Sequence, residues 1–301
     1  MMYGGVETSQ ISGWLSIDKP AGHSSRYILN ALNKMIGIKK SGYAGTLDPF
    51  ATGVLPVALG RATKVLEYFM ETDKEYSFTV QFGIATDTDD ITGQVIDSMI
   101  TAVTQSDILN IIDFFVGRIE QTPPRYSAVK INGHRAYDLA RDGREFALKS
   151  RLVDIFALKL IDFNAVNQQA RFWVHCGKGT YIRSLACQIA AKLDVIATTI
   201  ELRRERVGKF SLDNTFLLDK LKILLHNGQP EGCFFPVDYV LDDIPDIKIL
   251  SADLQKLRSG QAIDYFTQSD LPLVKLSHEE KFVALGKIHS NRLKTIKIIE
   301  L

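Results

Sequence analysis

The sequence of 301 residues has few cysteines, no long apolar run and no excess of charge of one sign. Its three cysteines, Cys176, Cys187 and Cys233, include no CxxC pair and leave an odd number, so neither a disulfide framework nor a structural zinc site is expected. No stretch approaches the roughly 18 apolar residues that cross a bilayer, and the first 13 residues lack the basic-then-apolar order of a secretory leader. These absences predict a cytoplasmic protein with reduced, buried thiols and no membrane partner.

Motifs for metals and nucleotides are also missing. The six histidines show no ligand spacing, and the sequence contains no HExxH, GxGxxG or GxSxG motif. The segment 177–180 resembles a phosphate-binding loop only in part, because GxxxxGK(S/T) would require glycine at Phe172 and serine or threonine at Gly179. We therefore expect no metal and no cofactor.

Charge is balanced overall, with 36 Lys and Arg against 35 Asp and Glu, but it is uneven along the chain. The segments 118–151 and 171–209 each contain eight Lys or Arg, against four and three acidic residues. The segments 71–97 and 213–246 are acidic, with seven acidic residues each. If the two basic segments fold onto one face of the protein, they would neutralise a phosphate backbone. The same counts also fit charged side chains that only keep separate helices solvated, so both interpretations remain open.

Apolar periodicity predicts an α+β fold, because strands and helices are mixed irregularly and no βαβ repeat is present. One helix is expected from Ser24 or Ser25 to a stop at Gly37, and another over 180–193. The alternating segment Tyr76–Phe82 predicts a half-buried strand whose apolar face carries Tyr76.

The C-terminal part of the sequence predicts a separate small module. Glycine and proline mark 227–236 and 242–245 as surface connections, and a hairpin is expected over 281–299. A β-rich unit over 246–301, following a domain over 1–245, accounts for this pattern.

The most unusual segment is 42–56, which has three glycines and two prolines in 15 residues. This composition predicts a loop with a tightly set backbone, in which Pro49 biases Asp48 away from helical geometry. A carboxylate on such a loop is pre-aimed as a nucleophile or base, although an aspartate that accepts hydrogen bonds from its own turn is commoner. From the loop alone both interpretations remain open.

This loop occurs together with four other motifs that resemble, in the same order, those of the TruB family of tRNA pseudouridine-55 synthases. The other motifs are Asp18–Pro20, Gln121–Lys130, Gly179–Leu185 and Leu202–Gly208, and the resemblance runs from about Gly13 to Phe210. It implies a pseudouridine synthase fold, with a mixed, largely antiparallel central sheet flanked by helices. The region from 246 is similar, more loosely, to a PUA-like RNA-binding domain.

The resemblance also implies roles for single residues. Asp48 matches the family's catalytic aspartate, and Arg183 matches the arginine that pairs with it. Tyr76 matches the tyrosine that stacks under the target base, where its hydroxyl assists deprotonation at C5. Other substrate or pocket positions match Lys19, Tyr43, Asp90, Tyr181 and Leu202. In an RNA-gripping insertion at about 118–151, the candidate phosphate contacts are Arg125, Lys130, Arg135, Arg141 and Arg144.

Blander interpretations of three of these residues remain open from the sequence. They are a surface arginine at 183, a core tyrosine at 76 and a solvated acidic turn at 90. One position departs from the family pattern, because members often carry histidine near the T-loop bases where this chain has Tyr43. Tyrosine stacks but does not become cationic near neutral pH, so a role that needs a cationic histidine is not carried over.

The implied reaction isomerises uridine-55 in the T loop of tRNA to pseudouridine. The uracil N1–C1′ bond breaks, the base rotates, and it rejoins the ribose through C5. Attack on the ribose, addition to the ring and proton abstraction at C2′ are all open as mechanisms, and each uses an aspartate and a flipped base. A monomer that needs no metal, cofactor or guide RNA is expected.

Two other functions remain open from the sequence. One is a tRNA-folding chaperone whose catalysis is secondary or lost, which intact Asp48, Tyr76 and Arg183 disfavour. The other is a guide-RNA-dependent, dyskerin-type subunit, which the short chain and the absence of Lys-rich tails disfavour.

Overall fold

The structure, a computed structural model, describes residues 2–3, 6–7, 11–227 and 232–299. Up to residue 227 its strands are β1 Met2–Tyr3, β2 Val6–Glu7, β3 Gly13–Lys19, β4 Ser41–Tyr43, β5 Thr52–Leu59, β6 Lys74–Phe82, β7 Ile84–Thr86, β8 Val95–Ser98, β9 Gly117–Gln121, β10 Lys130–Ile131, β11 His134–Arg135, β12 Arg151–Asn164, β13 Gln169–Cys176, β14 Ala197–Val207, β15 Phe210–Ser211 and β16 Phe216–Leu217. The helices of this part are α1 Ser25–Ile36, α2 Leu66–Phe69, α3 Gln105–Ile111, α4 Ala136–Arg141, α5 Ile182–Lys192 and α6 Leu218–His226. The last part of the chain forms β17 Asp246–Lys248, α7 Ser251–Arg258, β18 Ile263–Asp264, β19 Leu271–His278, β20 Lys281–His289 and β21 Arg292–Ile298.

Ten strands of the described chain form one central sheet, in the order β16-β3-β5-β14-β6-β13-β12-β9, with β4 beside β5 and β15 beside β14. Neighbouring strands in it run antiparallel except β16 with β3 and β14 with β5. A second sheet has the order β17-β19-β20-β21-β18. The predicted α+β class, with a mixed, largely antiparallel central sheet and a β-rich C-terminal unit, is confirmed. Within the described ranges, no helix has the length and hydropathy to span a membrane.

Helix α1 forms where the sequence predicts it because both of its ends are capped. The Ser24 side chain accepts a hydrogen bond from the Tyr27 N–H, and Gly37 ends the helix with a φ of 75°. The apolar side of α1 packs against β3 and β5, where Leu15 and Leu55 are completely buried.

Helices α1 and α5 cover the same face of the central sheet, which we call the inner face. Under α5, Phe78 of β6 and Phe172 of β13 lie in the largest core cluster. The opposite, outer face is covered at β3 and β5 by the C-terminal sheet, because Leu285 and Ile299 share a cluster with Trp14. The two sheets therefore pack against each other, and the space around the inner face is set by α1, α5 and the loops between them.

Two expectations about burial are wrong. Strand β6 is buried on both faces rather than on one, since Ser77 and Thr79 are only 7% and 8% exposed. The segment 227–236 is more than a surface connection, because Cys233 is buried and Phe235 pairs with Trp14 through the backbone; its residues 228–231 lie outside the described residues. A sequence pattern cannot show the loops and neighbouring strands that cover such residues.

The C-terminal hairpin and most of the thiol prediction are confirmed. Strands β20 and β21 are joined at Ser290 and Asn291, which have the positive φ values of 50° and 57° that tight hairpin turns require. Cys176 and Cys233 are buried, whereas Cys187 is only partly buried.

Candidate active site

Asp48 lies in the loop between β4 and β5, and hydrogen bonds hold the residues on both sides of it. The Ser25 hydroxyl accepts from the Leu47 N–H at 2.9 Å and lies 3.0 Å from the Leu47 carbonyl, to which it donates. The Lys19 ammonium donates to the Pro49 carbonyl at 3.1 Å. Because these anchors come from α1 and β3, the carboxylate is held against the inner face of the sheet.

Lys19 is an internal anchor of this loop. Its side chain is completely buried, and besides Pro49 it donates to the carbonyls of Pro20 at 2.8 Å and His23 at 2.7 Å. An ammonium group has three protons, so these three bonds use all of them. The structure thus places Lys19 beneath the loop, where it shapes the floor of the site.

Arg183, in the first turn of α5, is the cation beside Asp48. Its Nε lies 2.8 Å from Asp48 Oδ2, and its Nη2 donates to Oδ1 at 3.1 Å. The same guanidinium donates to the carbonyls of Thr88 at 2.7 Å and Tyr126 at 2.9 Å, and Nη1 lies 3.5 Å from Asp90 Oδ2. With 3% of its side chain exposed, Arg183 is not a surface arginine but joins three separate segments around one carboxylate.

Asp90 is part of this buried arrangement and not a solvated turn, since it is only 4% exposed. Its Oδ1 accepts from the Thr92 N–H at 2.9 Å and from the hydroxyls of Thr88 at 2.9 Å and Thr92 at 2.5 Å. These bonds close the turn between β7 and β8 beside Arg183. Asp90 therefore fixes this turn and adds a second negative charge near Asp48.

A row of residues crosses the inner face of the sheet beneath the Asp48 loop. The strand registers pair Lys19 with Gly53, Gly53 with Arg204, and Arg204 with Tyr76. Paired residues in neighbouring strands direct their side chains to the same face. At Gly53 φ is 101°, and a Cβ would lie 2.1 Å from the Arg204 carbonyl oxygen, so glycine is required where β5 meets β14.

Arg204 is the site residue that the sequence reasoning missed. It is 1% exposed, donates to the carbonyls of Val54 at 2.7 Å and Gly45 at 3.0 Å, and lies against the Tyr76 hydroxyl. A usable signal was present, because side chains on a strand alternate between faces. In the run 203–206, with arginine at three of four positions, at least one arginine had to point into the protein.

The environment shifts the pKa values of the central groups. Burial raises the pKa of Asp48, the Arg183 charge opposes that rise, and Asp90 adds to it. Burial lowers the pKa of Lys19 to about 8, with Asp48 acting in the opposite direction. Burial also raises the pKa of Tyr76 to about 12, although the neighbouring Arg204 cation counteracts it. A carboxylate with a raised pKa is, once ionised, a stronger base and nucleophile than an ordinary aspartate.

A cavity of about 720 Å³ opens beside the Asp48 loop. Its walls include Pro49, which follows Asp48, and Ile91, which follows Asp90, but also Ser77 and Arg203, which lie one position from Tyr76 and Arg204 and therefore on the outer face of the sheet. This volume lies within the range of sites that enclose small organic ligands. In the ranges that the structure describes, no three His, Cys, Asp or Glu residues are grouped so that they could hold a metal ion.

Two of the predicted tyrosines border these loops, and each is next to an arginine. Tyr43, half-buried on β4, has the Arg26 guanidinium 5.8 Å from its ring centre. Tyr181 directly precedes α5, where its N–H donates to Gln121 Oε1 at 2.7 Å and Arg151 lies 5.0 Å from its ring centre. The structure brings both residues to the rim of the site, and their contacts to a substrate stay predictions.

The predicted RNA-gripping insertion is an exposed segment built from β9, β10, β11, α4 and the start of β12. Its exposed cations are Arg125, Lys130, Arg135, Arg141 and Arg144. Arg125 and Arg141 each lie beside an aromatic ring of the same segment, Phe146 at 5.2 Å and Tyr137 at 5.4 Å. The insertion meets the active site through the Tyr126 carbonyl, and the phosphate contacts of its cations stay predictions.

Comparison with known proteins agrees with this geometry. Residues 33–182 match the family described as TruB family pseudouridylate synthase (N terminal domain). A tRNA pseudouridine synthase B of Ehrlichia ruminantium (strain Gardel) is 40% identical over 294 residues, which cover 96% of this chain and 99% of that protein. The protein of the same name from Caulobacter sp. (strain K31) is 36% identical over 302 residues, 97% of each chain. A solved Cbf5-Nop10-Gar1 complex contains a chain with the same fold, with a TM-score of 0.74 at 24% identity over 95% of this chain and 84% of that one.

These relatives define the class of the protein, which is that of the pseudouridine synthases, and the solved structure shares its fold. Within this class the chain belongs to the TruB family. The family resemblance of the sequence motifs is thereby confirmed, while the roles of the single site residues are taken up as proposals below.

Proposed function

We propose that this protein converts uridine 55 in the T loop of tRNA to pseudouridine, acting alone and without a cofactor. The observation that carries the proposal is the buried Arg183 that is paired with Asp48, in a chain of the TruB family. Relatives at 40% and 36% identity over nearly the whole chain bear the name tRNA pseudouridine synthase B. Their names supply the tRNA substrate; the choice of uridine 55 follows from the motif resemblance.

Asp48 is the group that acts on the target nucleotide in this proposal. The isomerisation breaks N1–C1′, forms C5–C1′, removes the proton from C5 and adds one to N1, so atoms and charge balance without an external reactant. Attack on C1′, addition to the ring and abstraction of a C2′ proton all require an ionised carboxylate. The paired Arg183 supports that ionised form, while burial keeps it reactive.

Tyr76 and Arg204 serve the later proton transfer. Tyr76 lies on the inner face between Arg204 and the core, and its ring supplies an apolar surface for a flipped uracil. Its hydroxyl is un-ionised at neutral pH because burial raises its pKa to about 12. The oxygen can take the C5 proton only after the hydroxyl has given its own proton to the base, which must gain one at N1, and the Arg204 guanidinium stabilises the phenolate that exists in between.

The free-energy cost of flipping the target base out of its stack is offset by contacts to the base in the site and by contacts to the RNA backbone. Flipping a base costs a few kcal/mol of stacking, and an RNA loop costs less than a duplex. The flipped base lies beside Asp48, against Tyr76 and Leu202, which share the inner face of the sheet, and the exposed cations of 118–151 bind phosphates. We assign residues 1–245 to the catalytic domain and 246–301 to a PUA-like RNA-binding domain, since the second sheet begins with β17 at Asp246. A tRNA substrate and unpaired thiols fit a cytoplasmic enzyme.

The direct test is position-specific mapping of pseudouridine in an unmodified tRNA transcript after incubation with the purified protein. One new pseudouridine at position 55 is expected, with no added RNA or protein, and a transcript carrying cytidine at position 55 should gain none. Modification only elsewhere, or only after addition of a guide RNA, would contradict the proposal. Normal refolding of tRNA without any pseudouridine would instead favour the chaperone function.

A further inference from the structure

Two solvent-exposed aromatic rings are stacked on each other at the rim of the active site. His23 and Tyr27 have ring centres 4.5 Å apart and planes inclined by 14°. His23 is exposed, and Tyr27 is 55% exposed, so the pair does not belong to a core. Large aromatic surface that is left to water beside a binding site is usual where an aromatic ligand completes the stack.

The position of the pair relative to Asp48 is set by backbone contacts. The Gly22 N–H donates to the Pro49 carbonyl at 2.8 Å, and the His23 carbonyl accepts from buried Lys19 at 2.7 Å. Pro49 directly follows Asp48 in the chain. The backbone at His23 is therefore linked, through one side chain and one hydrogen bond, to the loop that carries the catalytic carboxylate.

The charge around the pair favours an anionic partner. Arg26 is exposed, lies between His23 and Tyr27 in sequence, and has its guanidinium 5.8 Å from the Tyr43 ring centre. An exposed aromatic stack at the start of a helix that also carries an exposed arginine next to it in sequence matches a nucleotide, which presents a flat base and a phosphate together.

We propose that the His23–Tyr27 pair stacks one unpaired base of the substrate RNA loop, with the phosphate of that nucleotide at Arg26. The inference rests on the proposed function and adds a binding subsite to it, separate from the position beside Asp48 and Tyr76 that receives the target uridine. Aromatic side chains that stack a base contribute mainly to affinity and tolerate different bases, since every base has a flat face.

The test compares variants in their binding to a T stem-loop RNA, measured on an Asp48→Asn background so that no turnover occurs. Tyr27→Ala should weaken binding about tenfold, whereas Tyr27→Phe, which keeps the ring, should bind like the parent. Phe156→Ala is the matched control, because Phe156 is 52% exposed, its ring centre lies 4.8 Å from that of His175, and it stands on β12 away from the Asp48 loop. This control should bind normally, and the melting temperatures of all variants show whether they are folded.

A second set of binding experiments identifies the RNA base that stacks on the His23–Tyr27 pair. A set of stem-loops, each with one abasic loop position, should include one RNA that binds the parent about tenfold more weakly and that Tyr27→Ala does not weaken further. The inference would be overturned if Tyr27→Ala weakened the binding of every abasic RNA by the same factor as that of the intact RNA. It would also be overturned if Tyr27→Ala bound the intact RNA within twofold of the parent. Failure of the parent itself to bind the stem-loop would overturn the proposed function as well, so the two failures are distinguishable.

Discussion

The protein contains two clusters of carboxylates and arginine, one held against the inner face of the central sheet and one on its outer face, and they differ in a way that bears on function. The inner cluster consists of Asp48, Asp90 and Arg183, and the outer cluster of Asp73, Glu75, His175 and Arg206. In the outer cluster, Glu75 is paired across the strands with His175 and Arg206, one position before Tyr76 and hence on the opposite face. Asp48 and Asp73 have similarly exposed side chains, at 31% and 33%.

The pKa values of these two aspartates nevertheless shift in opposite directions. Burial tends to raise the pKa of Asp73, but hydrogen bonds from Arg206 and His175 outweigh it and lower the pKa. Burial raises the pKa of Asp48, and Arg183 only partly opposes it. Each carboxylate lies beside two nitrogens of its arginine, and Asp73 also lies within hydrogen-bond distance of His175. Burial prevails at Asp48, where the nearby Asp90 charge acts in the same direction, whereas the hydrogen bonds prevail at Asp73.

The largest difference between the clusters is expected on removal of the aspartate charge. Asp48→Asn should lower the rate of pseudouridine formation by at least about 10³-fold, because amide oxygen is a poor nucleophile and base. Asp73→Asn should keep the rate within about twofold but lower the free energy of unfolding by about 1–2 kcal/mol through weakened hydrogen bonds. Single-turnover assays and urea unfolding measure the two effects. Full activity of Asp48→Asn would sink its assignment as the catalytic group.

Replacing the arginine should lower the free energy of unfolding more in the inner cluster than in the outer one. Arg183→Gln leaves the carboxylates of Asp48 and Asp90 without their buried cation and should lower the free energy of unfolding by about 3–5 kcal/mol. Arg206→Gln, at a site where Arg206 is 26% exposed, should cost about 1 kcal/mol. Urea titrations of both variants give these differences. Equal losses would show that burial of the guanidinium does not distinguish the two clusters.

The smallest effect, and the sharpest test of the pKa directions, is the dependence on pH. Since the ionised form of Asp48 is the active one and its pKa is raised, the single-turnover rate should begin to fall at a pH above the ordinary aspartate value of about 3.9. The lowered pKa of Asp73 gives a stabilising contribution that is complete above about pH 3.9 and is lost only as the pH falls through the lower folded-state value.

On acidification, activity should therefore decline while the melting temperature still includes the contribution of the outer cluster. Asp73→Asn serves as the reference for that contribution at each pH. A rate and a melting temperature that fall together over the same pH range would show that loss of folding, rather than protonation of Asp48, limits activity.

Local features of the chain were predictable because their causes are local. Ser24 and Gly37 mark the ends of α1 through capping and a left-handed backbone, and residues 290 and 291 mark the C-terminal hairpin in the same way. The family was predicted from five motifs in order. Each of these depends on neighbours in sequence, so a linear pattern is enough. The loop predicted at 42–56 is shorter in the structure, which confines it to 44–51, because 42–43 belong to β4 and 52–56 to β5, where pairing with neighbouring strands overrides the glycines and prolines.

Contacts between distant segments were decided only by the tertiary structure. The family motifs implied the pairing of Arg183 with Asp48, but no linear pattern places the turn carrying Thr88 and the insertion at Tyr126 around the same guanidinium. Nor does it show that Arg204 lies in the row beneath them, because that depends on the register of four strands. The sequence by itself determined which chemical groups are available. The tertiary structure decided which carboxylate has a raised pKa and which a lowered one, since burial and hydrogen-bond supply are properties of the folded chain.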